Sequence, residues 1–259
     1  GGAGMRGAKI KEKLGRGEAV VNAMIPFYAP AVLELLGSTG VDMAMLDAEH
    51  GAIDVAQCED MVRAADAVGL PAIVRVPHND AHTILRYLDM GATGIIAPHV
   101  TTAEDARRAV QASRYGPLGG RSYGGPRALI VHGGSPAEYV ERANREILVI
   151  GLFEDVAGID RIDELFGVEG LDALVIGPSD LAFSMGLGPQ PWHPQVQAVA
   201  DRVIAASRRA GRPTGLPAGD PEQARQHVAR GCQIISVGVG ALLTGAARQL
   251  VSGLAQSTR

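Results

Sequence analysis

The sequence is poor in cysteine and in long apolar runs, and each shortage excludes a class of protein. Cys58 and Cys232 have no metal-binding or redox spacing, which argues against a disulfide scaffold and favours a reducing cytoplasm. No apolar stretch approaches the roughly 20 residues that a membrane-spanning helix needs. No secretory signal opens the chain, so we expect a cytoplasmic protein with no membrane partner.

Basic residues are also few and dispersed. The chain has 24 Lys and Arg against 28 Asp and Glu, a net charge of -4, and no basic run. A nucleic-acid-binding protein normally carries a basic patch, so we expect no nucleic-acid partner. Lys9, Lys11 and Lys13 lie in an amino-terminal segment and no lysine ends a predicted strand, so no amine is placed for a Schiff base.

Small and branched apolar residues are abundant. The hydrophobic share is 46% and the aromatic share only 4%, so the core is built from Ala, Val, Ile and Leu. A length of 259 residues suits one barrel domain. We therefore expect a single domain over residues 5–259, with residues 1–4, Gly-Gly-Ala-Gly, as a cloning remnant before Met5.

Short apolar runs alternate with segments of helical periodicity along the chain. The runs predict strands at Ala19–Ile25, Val41–Leu46, Ala72–Val76, Gly94–Ala97, Ile147–Phe153, Ala173–Ile176, Pro213–Leu216 and Gln233–Val237. Helices are predicted at Arg6–Arg16, Pro30–Leu36, Val55–Val68, Ala81–Met90, Thr102–Ser113, Pro136–Asn144, Ile159–Phe166 and Pro194–Ala210, from Asp220 onwards, and at Ala241–Leu254. This alternation indicates an α/β protein with a closed (β/α)8 TIM barrel. No GxGxxG follows the first strand, which counts against a dinucleotide-binding fold.

Two glycine-rich segments have roles that the sequence leaves open. Residues 115–135 are predicted to form a structureless functional loop, in which Arg121 and Tyr123 either gate the barrel mouth or contact a neighbouring subunit. Gly238 and Gly240, after the eighth strand, either bind a phosphate group or allow close packing.

Two predicted strands lead into acidic residues. Glu154 follows the fifth strand directly, and Asp180 follows the sixth within Gly177-Pro178-Ser179-Asp180. The carboxyl ends of barrel strands meet at the active-site face. Two carboxylates at that face are a candidate binding site for a divalent cation, because such an ion prefers oxygen ligands. Either acid alone would also serve as a helix cap.

Two further strand ends carry a base and a cation. His50 follows the second strand in the cluster Asp47-Ala48-Glu49-His50-Gly51, and Arg75 lies at the end of the third. An unpaired buried charge is costly, which favours a functional role for Arg75. An imidazole exchanges protons near neutral pH, and a guanidinium stabilises a developing oxyanion. Four strands are therefore expected to bring chemically useful groups to one face.

These residues belong to motifs that occur in this order: Asp47-x-Glu49-His50-Gly51, Val74-Arg75-Val76-Pro77 followed by Asn79-Asp80, Leu88-Asp89-x-Gly91, Glu154 after a strand, and Gly177-Pro178-Ser179-Asp180-Leu181. In order and spacing the chain resembles the class II, metal-dependent pyruvate aldolases, the family of 4-hydroxy-2-oxoheptanedioate and 2-dehydro-3-deoxyglucarate aldolases. The resemblance covers nearly the whole chain. It implies a barrel of the phosphoenolpyruvate/pyruvate-binding type.

The resemblance also implies an activity and a site. The activity is reversible cleavage of 4-hydroxy-2-oxo acids to pyruvate, or a related 2-oxo acid, and an aldehyde, through an enolate held by a metal. Glu154 and Asp180 are implied as ligands of Mg2+, Mn2+ or Co2+, and His50 with Asp89 as the groups that transfer protons. The substrate-binding residues implied are Arg75, Gly177, Pro178, Ser179, Asp180 and Leu216.

Two further features follow from the resemblance. Family members often carry Gln two residues before the metal-binding Glu, whereas this chain has Leu152, so a hydrogen bond behind the metal is expected to be missing. The resemblance implies a homo-oligomer, commonly a hexamer, with terminal helices exchanged between subunits. The apolar helix Ala241–Leu254 suits this exchange, although a barrel can also use such a helix to cover its own eighth strand.

Two other functions remain open. A Claisen-type lyase acting on an acyl-CoA thioester, as in the related citryl and malyl lyases, would need a basic phosphate-binding site near the mouth. The sequence shows no such cluster there. A non-catalytic protein that binds oxo acids would not need an acid, a base and a cation together.

Overall fold

The computed structural model describes residues 6–257, which form a closed barrel of parallel strands. Each strand pairs with its neighbours in sequence, and the last strand closes onto the first. This confirms the predicted α/β class and (β/α)8 architecture, while the predicted cloning remnant lies outside the described residues. Strands β1 to β8 are Val20–Ile25, Met43–Asp47, Ala72–Arg75, Gly94–Ala97, Leu148–Phe153, Ala173–Ile176, Thr214–Pro217 and Ile234–Gly238.

Helices surround the strands, and many begin at the caps that the sequence shows. Thr102 and Asp105 form a capping box at one helix start, and Asp80 accepts hydrogen bonds from the amides of His82 and Thr83 at another. No helix within residues 6–257 has both the length and the apolar composition required to cross a membrane. Helices α1 to α12 are Gly7–Gly15, Pro30–Leu36, Val55–Ala67, Ala81–Asp89, Ala103–Ser113, Pro126–His132, Pro136–Glu146, Ile162–Phe166, Pro178–Ser184, Pro194–Ala210, Pro221–Arg230 and Val239–Ser257, and a 3-10 helix spans Val156–Arg161.

Helix α1 closes the amino-terminal end of the barrel. Its Ile10 and Leu14 pack into the apolar cluster that fills the barrel interior, while a larger cluster joins the strands to the outer helices. Lys11 Nζ lies 2.8 Å from Asp172, which precedes β6, and Lys13 Nζ lies 2.7 Å from Asp42, which precedes β2. These amines are therefore at the end of the barrel opposite the carboxyl ends of the strands.

Residues 115–135 are not the structureless loop that the sequence predicted. Helix α6 occupies Pro126–His132, and the buried Arg121 anchors the chain before it. Arg121 Nη2 donates to Asp89 Oδ1 at 2.7 Å, and its guanidinium lies over the Tyr115 ring at 4.6 Å. Arg121 thus fixes this segment to α4, and its buried side chain does not gate the mouth. Tyr123, the other residue singled out in this segment, is exposed. The prediction failed because the glycines that flank α6 hid a short helix with proline in its first turn.

Helix α12 does not cover the barrel from which it starts. It contacts β1 and β8, but every residue from 240 to 254 is exposed. The helix therefore does not cover its own eighth strand, which was one alternative from the sequence. A Cβ at Gly238 would come no closer than 4.0 Å to another residue, so close packing does not explain that glycine. The exposed large apolar side chains of α12 are Leu242, Leu243, Leu250, Val251 and Leu254.

Candidate active site

A cavity of about 330 Å³ lies at the carboxyl ends of the strands. It brings together nearly all the residues that the sequence predicted: His50, Arg75, Glu154, Gly177, Pro178, Ser179, Asp180 and Leu216. Apolar side chains form much of the remaining wall, among them Met24, Met45, Ile96, Leu152 and Val175. A larger surface groove, of about 550 Å³, lies between α5 and α8 and contains none of the predicted groups. The strand-end cavity is therefore the candidate active site.

Asp47 holds Arg75 in place through two hydrogen bonds. Arg75 Nε donates to Asp47 Oδ1 at 2.9 Å and Nη2 donates to Oδ2 at 2.6 Å. Arg75 Nη1 makes no hydrogen bond to any residue in the described range, and Arg75 lines the cavity. A planar guanidinium paired in this way keeps one orientation, so its remaining donors are fixed toward the cavity.

The same Asp47 organises the turn that carries His50. Its Oδ1 accepts hydrogen bonds from the backbone amides of Glu49, at 3.2 Å, and His50, at 3.1 Å. Burial alone would raise the pKa of Asp47, but the hydrogen bonds and charge of Arg75 hold it below its ordinary value. Asp47 is therefore a carboxylate that positions both Arg75 and the backbone of His50.

Glu154 is the centre of a group of side chains whose donor atoms could hold a metal ion. One donor atom each from Glu49, His99 and Glu154 lie within 4.8 Å of one another. The His99 amide donates to Glu154 Oε1 at 3.0 Å, and its ring Nδ1 lies 3.4 Å from the same oxygen. Glu49 Oε2 is buried and has no hydrogen-bond partner among the described residues, although Arg75 Nε is 3.4 Å away. These donor types suit a divalent cation.

Burial, with a smaller contribution from neighbouring carboxylates, raises two pKa values at this site. Burial is the main cause for Glu154, whose pKa is raised to about 7; His99 opposes the rise, and the charges of Glu49 and Asp180 add to it. Burial also raises the pKa of Glu49. A buried carboxylate surrounded by other carboxylates is costly to ionise, and a bound cation would remove that cost.

The segment after β6 approaches Glu154 closely. A Cβ at Gly177 would lie 2.9 Å from Glu154 Oε2, so a larger residue would displace the carboxylate. Pro178 begins α9, and the amides of Ser179 and Asp180 in its first turn donate to no residue within 6–257. Both residues line the cavity, where unpaired amides suit a carboxylate ligand.

Asp89 is the predicted site residue that does not line the cavity. It ends α4 in the outer layer, and its carboxylate accepts from Arg121 at 2.7 Å. Within residues 6–257, Asp89 makes no hydrogen bond to His50, and its part in proton transfer stays a prediction. Asp89 lies apart because it is the last residue of helix α4, whereas the other predicted residues lie at or just after the ends of strands.

His99 and the role of Asp47 were not predicted from the sequence. His99 comes two residues after β4, between the distances at which Glu154 follows β5 and His50 follows β2. Its φ of 50° is unusual for a residue other than glycine. The signal that identifies Glu154 therefore also identifies His99, because it lies just after the end of a barrel strand.

The fold and the cavity together define a TIM-barrel enzyme with a cluster of acidic side chains, suited to a metal ion, at the strand ends. The chain belongs to the HpcH/HpaI aldolase/citrate lyase family, whose model matches residues 24–246. This confirms the family predicted from the sequence and the class of carbon-carbon lyase.

Named relatives agree with this assignment. A hydroxypyruvate/pyruvate aldolase of Pseudomonas aeruginosa is 32% identical over 93% of this chain and 91% of its own length. A 2-keto-3-deoxy-L-rhamnonate aldolase of Escherichia coli K12 is 30% identical over 90% of this chain and 88% of its own. The crystal structure of a family protein from Burkholderia cenocepacia J2315 superposes with a TM-score of 0.88, at 31% identity, over 95% of this chain and 98% of that one.

Proposed function

We propose that this protein is a metal-dependent aldolase that reversibly cleaves 4-hydroxy-2-oxo acids to pyruvate, or a related 2-oxo acid, and an aldehyde. The observation that carries the proposal is the single cavity lined by Glu154, Asp180, Arg75 and His50. A carboxylate pair, a fixed cation and an imidazole are the groups that aldol cleavage through an enolate requires. The aldolase names of the relatives support it.

The donors around Glu154 fit a divalent cation. Glu154 and Asp180 would hold the ion, with Glu49 and His99 next to Glu154. The buried Glu49 Oε2, which accepts no hydrogen bond within residues 6–257, and the raised pKa of Glu154 support a site that a bound cation would stabilise. When bound, an ion such as Mg2+, Mn2+ or Co2+ supplies Lewis-acid polarisation of a keto oxygen.

Arg75 stabilises negative charge on the keto oxygen of the substrate. Because Asp47 takes two of its donors, Arg75 presents Nη1 in a fixed direction. A donor fixed before the reaction needs no reorganisation when charge develops, so its interaction strengthens toward the transition state.

His50 is the proton-transferring group of the cavity. Its backbone is held by Asp47 and its side chain is exposed at the cavity wall. In cleavage, a base removes the proton from the C4 hydroxyl of the substrate, the C3–C4 bond breaks, and the electron pair passes to the oxo-acid fragment. A proton then returns to C3 of that fragment to give the 2-oxo acid. An imidazole suits both transfers near neutral pH.

The cavity favours a small oxo acid over an acyl-CoA thioester. Arg75 is the only Lys or Arg among its lining residues in the described chain, and it is already paired with Asp47. A coenzyme A phosphate would need further basic groups at the mouth. The amides of Ser179 and Asp180 instead suit the single carboxylate of an oxo acid.

We also propose that the protein assembles as a homo-oligomer, with the hexamer of the class II aldolases as the expected form. Helix α12 exposes a set of leucine and valine side chains, and it does not pack along the outside of its own barrel. Such a helix gains most by packing on a second copy of the chain. The cytoplasmic location remains a prediction, supported by the buried free thiols of Cys58 and Cys232.

The proposed function is tested by a screen of 4-hydroxy-2-oxo acids for pyruvate release, with Mg2+, Mn2+ and Co2+ added separately. The His50→Ala variant is the comparison for chemistry, and His193→Ala, a change at a histidine that caps α10, is the matched control. We expect pyruvate release to be lost in His50→Ala and to be kept in His193→Ala. Binding of oxo acids without turnover by the metal-loaded wild type would instead support a non-catalytic binding protein.

A further inference from the structure

The carboxyl end of β7 forms part of the cavity wall but has few strand contacts. Gly215, Leu216 and Pro217 all line the cavity. The register with β6 pairs Thr214 and Gly215 with that strand and, in the described chain, extends no further. Pro217 has no backbone N–H, so it cannot donate a hydrogen bond to a neighbouring strand. Within the sheet, strand β8 therefore supports this end on one side only.

A histidine of the outer helix layer contacts the end of β7. His227 of α11 is buried, and its Nε2 lies 3.2 Å from the carbonyl oxygen of Pro217. A carbonyl oxygen only accepts, so Nε2 carries the hydrogen and donates it. Burial and the charge of Arg230 lower the pKa of His227, although its hydrogen bond to Pro217 opposes this. The ring is therefore neutral at neutral pH, and its single N–H is used at Pro217.

Neighbouring side chains fix the orientation of the His227 ring. Trp192, in the segment between α9 and α10, stacks on it with 5.7 Å between ring centroids and 28° between the ring planes. His227 Nδ1 lies 3.5 Å from Arg230 Nη1. Arg230 in turn donates to Gln197 Oε1 at 3.0 Å and to Asp201 Oδ1 at 2.9 Å, so α10 holds it in place. The imidazole thus has contacts on its face and at both nitrogens.

We infer that His227 is a positioning residue of the active site, which holds the end of β7 so that Leu216 and Pro217 keep their places in the wall around the oxo acid. This inference rests on the proposed function, since it concerns the cavity in which the oxo acid would bind. His227 does not itself line the cavity, so it acts through Pro217. A binding cavity covers most of the surface of a small ligand, so a displaced wall weakens binding.

The inference predicts an effect on binding more than on the chemical step. The groups proposed for the metal, the oxyanion and proton transfer lie at the ends of β2, β3, β5 and β6, and none of them is on β7. Loss of the hydrogen bond from His227 to Pro217 should leave these groups in place. KM should therefore rise while kcat changes little.

The test replaces the His227 ring in two ways. His227→Phe keeps a flat ring against Trp192 but has no donor, whereas the side-chain amide in His227→Gln can donate to Pro217. Cleavage of a 4-hydroxy-2-oxo acid is measured with Mg2+ present. We expect His227→Phe to raise KM by about tenfold, the scale of one hydrogen bond, and to keep kcat within about twofold. His227→Gln should bring KM back to within about threefold of wild type.

His132→Phe is the matched control. His132 also stacks on an aromatic ring, that of Tyr139, with 6.2 Å between centroids, but it lies in α6 and does not line the cavity. This variant should keep the wild-type KM. A KM in His227→Phe within about twofold of wild type would overturn the inference. An equal rise of KM in His227→Phe and His227→Gln, or a fall in kcat without a change in KM, would also contradict it.

A binding measurement separates this inference from the proposed function. The Kd of pyruvate is measured by calorimetry with Mg2+ for wild type, His227→Phe and His227→Gln. If the wild type cleaves no 4-hydroxy-2-oxo acid, the proposed function fails, but a Kd raised by about tenfold in His227→Phe and restored in His227→Gln still supports the inference. An unchanged Kd in His227→Phe contradicts it, and pyruvate that does not bind to the wild type overturns both proposals.

Discussion

Arg75 and Asp47 lie side by side at the ends of adjacent strands, with two parallel hydrogen bonds of 2.9 and 2.6 Å between guanidinium and carboxylate. The pair is mostly buried, and Asp47 also holds the turn that carries His50. Asp47 also keeps Arg75 protonated. Burial alone would lower the pKa of Arg75, but the hydrogen bonds and charge of Asp47 raise it. One carboxylate therefore orients the cation and the base of the proposed reaction.

Replacing Arg75 by lysine should lower kcat more than it changes KM. Lysine keeps the charge but loses the planar fork that Asp47 holds, so it presents no fixed donor to the keto oxygen. We expect kcat to fall by roughly two to three orders of magnitude, the effect of removing one oxyanion donor. Steady-state cleavage kinetics at saturating metal measure this, with Arg107→Lys on the surface of α5 as control. A higher KM with an unchanged kcat would make Arg75 a residue for ground-state binding.

Removing carboxylates near Glu154 should weaken metal binding in a graded way. Glu154→Gln and Asp180→Asn should lower the affinity for Mn2+ by about a hundredfold or more, because each removes a negative ligand. Glu49→Gln and His99→Ala should lower it by about tenfold, as expected for neighbours of a ligand. Calorimetric titration with Mn2+ provides the affinities, and Glu104→Gln on α5 is the control. If Asp180→Asn binds normally while Glu49→Gln does not, the ion lies between Glu49, His99 and Glu154.

The stability of the metal-free protein should fall as the pH rises from about 4.5 to 7. In the folded state Glu154 keeps its proton until about pH 7, whereas its reference value is 4.5. In this interval the folded protein binds more protons than the unfolded chain, so the free energy of unfolding decreases with pH. Glu154→Gln removes this contribution, and the difference between wild type and variant isolates it.

Thermal melting in EDTA across this pH range gives that difference. The melting temperature of the wild type, relative to Glu154→Gln, should drop toward neutral pH. Added Mg2+ should restore it more at pH 8 than at pH 5, because the ion needs the deprotonated carboxylate. A difference that does not change with pH would show that Glu154 is ionised throughout.

A charge placed on α12 should weaken assembly. Leu243 is 59% exposed and Leu250 is 67% exposed, so glutamate at either position should not harm the isolated barrel. In an oligomer, glutamate would be buried against a second copy, where an unpaired charge is costly. Light scattering should show a multiple of 26.9 kDa for wild type and a smaller species for Leu250→Glu, with Gln249→Glu as control. Wild type that remains monomeric at micromolar concentration would contradict the assembly.

The barrel was predictable because each strand is a short apolar run between turn residues. Gly94–Ala97 and Ala173–Ile176 were predicted with the bounds that the structure has, since burial on both faces makes such strands continuously apolar. Helix α6 was missed because its flanking glycines and proline are also typical of a loop. The packing surface of α12 was also not predictable. Its apolar composition predicted burial, but composition does not show which surface the helix covers.

Much of the candidate site was predictable by one rule, which is that a barrel presents functional groups at or just after the carboxyl ends of its strands. Glu154, Asp180, His50 and Arg75 obey it and line one cavity. Asp89 is the last residue of helix α4 and lies outside the cavity, next to Arg121. The pairing of Asp47 with Arg75 depends on the register between β2 and β3, which sequence alone does not show.

The most direct test of the account is pyruvate release from a 4-hydroxy-2-oxo acid before and after chelation, combined with borohydride treatment in the presence of pyruvate. EDTA should abolish release and Mn2+ or Mg2+ should restore it, because the acidic cluster around Glu154 needs a cation. Borohydride should trap no adduct, since the lysines of α1 lie at the far end of the barrel from the cavity. Release that persists in EDTA, together with a covalent pyruvate adduct on a lysine, would contradict the proposed mechanism.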